Sequence, residues 1–90
     1  MKVQREVVVI NKLGLHARPS AQLVKLAADY DSTIRLQLRE QSVDGKNIMG
    51  LLMLAATCGS QILVTANGDD ADKAIEGIAR LFSNRFGESE

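Results

Sequence analysis

The chain has 90 residues, 46% of them hydrophobic, and its eleven basic and eleven acidic side chains balance to zero formal charge. That length suits a single domain over residues 1–90 with one core, burying about 60–65% of the unfolded chain's surface, and the charge balance argues against binding nucleic acid by counterion release. Cys58 is the only cysteine and His16 the only histidine, which excludes an internal disulfide and a tetrahedral zinc site of the usual ligands, while Lys2, Arg5 and Glu6 interrupt any signal-like N-terminal apolar run.

In chain order, Lys2 to Ile10 is rich in β-branched residues and reads as a first strand, although Val7-Val8-Val9-Ile10 blurs its alternation. Asn11-Lys12-Leu13-Gly14 is turn-forming. A helix is expected from about His16 to Ala28, with Leu23, Val24 and Ala27 near helical spacing and Pro19 in the first turn, where a missing N–H is harmless. Thr33 to Arg39 alternates cleanly, and a short strand around Ser42-Val43 is expected to pair back through a Glu40-Gln41 turn.

Asn47 is a favourable N-cap for a short apolar helix through Leu54, and Gly59-Ser60 resets the chain for a strand from Gln61 to Ala66. After the Asn67-Gly68 turn, Asp69 or Asp70 is expected to cap a final helix whose apolar stripe includes Ala71, Ala74, Ile75, Ile78, Leu81, Phe82 and Phe86, with Arg80 and Arg85 near its end. Cys58 reads as a small, semi-buried residue. The order β-α-β-β-α-β-α, with half-polar strands, predicts an α+β open-faced sandwich: a four-stranded antiparallel sheet with three helices on one face.

The residue that organises the chemistry is His16, inside Gly14-Leu15-His16-Ala17-Arg18-Pro19, where the first strand hands over to the first helix. Free imidazole has a pKa near 6.5, so near neutral pH much of it carries a nucleophilic nitrogen. The start of a helix offers unpaired N–H groups and positive dipole to an anion, and disfavours the imidazolium. Arg18 adds a guanidinium for phosphate oxygens. The charge distribution agrees, because residues 1–46 hold eight Lys/Arg against five Asp/Glu, and residues 47–90 hold three against six.

This hexapeptide, with Ala21, Val24 and Ala27 after it, resembles the active-site signature of HPr, the histidine phosphocarrier family of the bacterial phosphotransferase system. Val43-Asp44-Gly45-Lys46-Asn47-Ile48-Met49-Gly50-Leu51-Leu52-Met53-Leu54 resembles the family's passage from third strand to second helix. The resemblance implies a cytoplasmic, monomeric, stoichiometric carrier, not an enzyme, with no cofactor and no metal. His16 would accept phosphate on Nδ1 from phosphorylated enzyme I, charged by phosphoenolpyruvate, and pass it to an enzyme IIA-type histidine. Arg18 would stabilise the phosphate, and the backbone N–H groups of Ala17 and Arg18 would face it.

Two departures from the family pattern matter. Asn47 stands where many relatives carry a kinase-phosphorylated serine, so no regulatory serine is expected there, and Ser20 and Ser42 are out of register. Ala28 and Gly50 stand where sugar-pathway carriers often have lysines, and Leu51-Leu52-Met53-Leu54 resembles the nitrogen-related carrier NPr more than sugar-pathway HPr. Candidate docking residues are Lys25, Ile48, Met49, Leu52 and Met53. Lys25 is either part of a positive rim around the phosphate or a solvated surface lysine, and Met53 either packs in the core or joins an exposed apolar patch. An alternative from another class is a regulatory binding module, never phosphorylated, acting through the second-helix surface.

Overall fold

Burial with a period of two builds the sheet. In the computed structural model, which describes residues 1–90, β1 is Lys2–Val8, β2 Thr33–Leu38, β3 Gln41–Asp44 and β4 Gln61–Asn67. All pairings are antiparallel, in the order β1-β4-β2-β3. Val7, Ile34, Leu36, Val43, Ile62, Val64 and Ala66 are buried on one face, whereas Gln4, Thr65, Arg35 and Asp44 form a polar row across the other. An antiparallel sheet tolerates such an open, solvated face. The apolar run that blurred β1 alternates in space: Val7 and Val9 are buried, Val8 and Ile10 exposed. The strand itself ends at Val8, two residues earlier than expected.

Three helices cover the apolar face: α1 (Ala17–Ala27), α2 (Ile48–Leu54) and α3 (Ala71–Ser83). Leu23 and Ala27 from α1, Leu51 and Leu54 from α2, and Ala71, Ala74, Ile75, Ile78 and Phe82 from α3 join the strand residues in one cluster of 20 buried side chains. Each large member contributes on the order of 1.5–3 kcal/mol by burial. The α+β open-faced sandwich expected from the element order is the observed fold.

Several local expectations are corrected. The β2–β3 hairpin turns at Arg39-Glu40, because Leu38 pairs with Gln41 and Arg39 takes φ 57°, the left-handed value such a tight turn requires. Neither Asp69 nor Asp70 caps α3. Asp70 holds the N-cap position, but its carboxylate turns to the start of β2, accepting from Asp31 N at 2.8 Å, Ser32 N at 2.9 Å and Ser32 Oγ at 2.5 Å. Cys58 is exposed rather than semi-buried, on a turn before β4.

Phe86 and Arg85 fall outside α3, in a 3₁₀ turn over Arg85–Gly87. Both take left-handed backbone, φ 54° at Phe86 and 56° at Arg85, and this reversal folds the Phe86 ring edge-on against Phe82, with centroids 4.9 Å apart. The same reversal sends residues 88–90 back across the molecule, toward the beginning of α1.

Candidate functional site

The chain is clamped on both sides of His16. Before it, Gly14 takes φ +69°, and a Cβ there would lie 2.4 Å from the Ala56 carbonyl oxygen, so this approach needs glycine on both counts. Leu15 is buried, and its N–H donates to that same oxygen at 2.9 Å. After it, Pro19 and Ser20 are buried, and Ser20 Oγ donates to the Leu15 carbonyl at 2.9 Å. His16 is left as the N-cap residue, extended in backbone and making no capping bond with its side chain, which is 36% exposed. The N–H groups of Ala17 and Arg18 lie in the first turn, where a helix supplies no acceptor, so the positive end of α1 opens beside the ring.

Around the ring lies a shallow depression of about 400 Å³ lined by Lys12, Leu13, His16, Arg18 and residues 88–90. Lys12, Glu88 and Glu90 of this lining, and Asn11 buried behind it, were missed in the sequence. Glu88 Oε2 stands 2.8 Å from His16 Nε2. Asn11 is fully buried and donates its side-chain amide to both the Gly14 carbonyl, at 2.8 Å, and Glu88 Oε1, at 3.0 Å. Lys12 N donates to the Glu90 carbonyl at 2.9 Å, and its ammonium lies 3.7 Å from the Glu90 carboxylate. The Asn11 bond, more than any other contact, holds the Glu88 carboxyl below the usual carboxylate range; the bond and charge of His16 and the charge of Arg18 act the same way, and partial desolvation opposes them. Asn11 and Lys12 adjoin the hexapeptide and could have been suspected. Nothing at residue 88 signals a partner 72 positions away.

The expected residues do not all converge. His16 and Arg18 share the depression, but Lys25 lines a separate hollow with Gln22, Leu26, Asp29 and Leu81, so the positive rim contains Lys12 instead. Ile48, Met49 and Met53 are 36%, 62% and 69% exposed on α2, and Leu52 is half-buried; none of the four lines the depression. Asn47 caps α2 as expected, its Oδ1 accepting from Met49 N and Gly50 N. Ser20 is buried with its hydroxyl engaged, and Ser42 is exposed beside Arg35.

A family profile described as "PTS HPr component phosphorylation site" matches residues 3–84. The chain belongs to the HPr family. Its relatives include phosphocarrier protein HPr of Cupriavidus necator, 44% identical over 98% of this chain and 99% of that one, and phosphocarrier protein NPr of Shewanella violacea, 38% identical over 98% and 97%. Among solved structures, HPr-C-His from Thermoanaerobacter tengcongensis superposes with a TM-score of 0.94 at 34% identity, over 98% of this chain and 99% of that one. HPr proteins are phosphocarriers of the phosphotransferase system rather than catalytic enzymes, which suits a site with one nucleophile. No helix of the chain is long and apolar enough to cross a membrane.

Proposed function

We propose that His16 is the phosphoryl acceptor: its Nδ1 attacks the phosphohistidine of enzyme I, charged by phosphoenolpyruvate, and the group then passes to an enzyme IIA-type histidine. The observation that carries this reading is the lone imidazole, half-exposed at the uncapped start of α1, inside the segment that matches the family profile. Neutral imidazole is a competent nucleophile near pH 7. The first-turn N–H groups of Ala17 and Arg18, the Arg18 guanidinium and the dipole of α1 receive the incoming phosphate oxygens. Ile48, Met49, Leu52 and Met53, with Lys25, form the docking surface, since flexible methionine suits successive partners of different shape. The chain works as a cytoplasmic, monomeric, single-domain shuttle, and its neutral Ala28 and Gly50, with the run Leu51-Leu52-Met53-Leu54, favour the regulatory, nitrogen-type branch.

The test is incubation with phosphoenolpyruvate and enzyme I of the sugar type and of the nitrogen type in parallel, read by intact mass. The expected result is an acid-labile phosphate adduct, faster with the nitrogen-type donor and absent from His16→Ala. An adduct that survives His16→Ala defeats the reading by putting the phosphate elsewhere, and no adduct with any cognate enzyme I defeats it and leaves a binding module acting through α2.

A further inference from the structure

We infer that Glu88 is a positioning residue for the imidazole of His16, holding the ring proton on Nε2 so that Nδ1 carries the reactive lone pair and, on the return step, leaves as part of a neutral imidazole. This inference rests on the phosphocarrier reading above. Glu88 lies outside residues 3–84, the span of the family match, so the assignment concerns this chain's own contacts.

Of the two neutral tautomers of the ring, the geometry fits one. An ionised carboxylate only accepts, so the 2.8 Å contact between His16 Nε2 and Glu88 Oε2 requires the hydrogen on Nε2. Which ring nitrogen of a neutral histidine is protonated follows from the bond the other makes. The carboxylate is in turn oriented. Asn11 Nδ2 donates to Glu88 Oε1 at 3.0 Å and to the Gly14 carbonyl at 2.8 Å, which fixes the Asn11 amide orientation, and its buried Oδ1 has no partner. A buried amide that leaves its own oxygen unpaired is unusual, and here it aims its donors at the residue two before His16 and at the carboxylate facing the ring. Lys12 pins the following residues through the Glu90 carbonyl at 2.9 Å.

In the forward step the N–P bond of the donor's phosphohistidine breaks, its electron pair stays on the donor ring, and the Nδ1 lone pair of His16 forms the new N–P bond. The proton on Nε2 does not move, and the positive charge gained by the ring faces the Glu88 carboxylate. In the onward step the Nδ1–P pair returns to Nδ1, and because Nε2 has kept its proton the group that departs is neutral imidazole, a far better leaving group than imidazolate. Glu88 therefore keeps the carrier reactive in both directions without touching phosphorus.

The experiment uses phosphoramidate, a small phosphoryl donor needing no protein partner, on the full chain and on Glu88→Ala, with the modified nitrogen identified by ³¹P and ¹⁵N NMR. The Glu88 side chain is only 13% exposed and accepts from buried Asn11, so the variant is expected to keep the parent's circular dichroism and to melt a few degrees lower, still folded at the assay temperature. The parent should be modified on Nδ1 in at least about tenfold preference over Nε2, which corresponds to ~1.4 kcal/mol between the two nitrogens, and the variant should lose that preference. Long-range ¹H–¹⁵N correlation of the unmodified ring should show the Nε2–H form in the parent and a mixture in the variant. An unchanged nitrogen preference and tautomer ratio in Glu88→Ala overturn the inference, whereas failure of enzyme I to charge the parent overturns the phosphocarrier reading, so the two failures are separable.

Discussion

Gly14 shows how much of the site depends on a single missing methyl group. Its positive φ and the 2.4 Å approach that a Cβ would make to the Ala56 oxygen place Leu15, and so His16, against the end of α2. Gly14→Ala is expected to cost roughly 2–4 kcal/mol, combining left-handed strain with a backbone clash, and urea unfolding checks it. The hexapeptide was legible because glycine, proline and a lone histidine each constrain the backbone or the chemistry locally. Its carboxylate partner was not, since Glu88 reaches His16 only after Arg85 and Phe86 reverse the chain in left-handed conformations that neither residue type announces.

At the scale of elements, the junction between β2 and α3 shows why caps are hard to assign from sequence. Asp70 occupies the position where a carboxylate ordinarily accepts from its own helix, yet it accepts from the Ser32 hydroxyl and from the N–H groups of Asp31 and Ser32. These bonds, that from the Ser32 hydroxyl first, lower its pKa from the ordinary 3.8. Because the folded value lies below the unfolded one, Asp70 adds stability above about pH 4, and that contribution disappears as the pH falls through the folded value. Asp70→Asn is accordingly expected to lower the melting temperature at pH 7 more than at pH 2.5, shrinking the acid-side loss seen in the parent. An equal loss at both pH values would remove the carboxylate's charge from the account. Asn47, by contrast, caps the helix that its position announced, because no competing donor is packed against it from another element.

Across the whole molecule, the His16 ring and the exposed apolar side chains of α2 belong to different elements, so stability and the proposed docking can be tested separately. Met49 and Met53 project from α2 without entering the core, and Met49→Lys or Met53→Lys is expected to change unfolding free energy by less than about 0.5 kcal/mol. The same variants should raise the KM for phosphorylated enzyme I about 5- to 30-fold, the effect of removing a contact worth 1–2 kcal/mol at an interface. An unchanged KM would move the docking surface off α2. The sequence by itself determined the element order, the apolar faces of β2, β4, α1 and α3, and the position of His16 at a helix start, because periodicity and backbone preference act over a few neighbouring residues. Only the tertiary structure decided that Asn11 and Glu88 meet the imidazole, that Lys12 rather than Lys25 stands beside it, and that Asp70 serves β2 instead of α3. Those contacts join residues up to 77 positions apart, and a hydrogen bond between them exists only once the sheet has closed and the chain has turned back on itself.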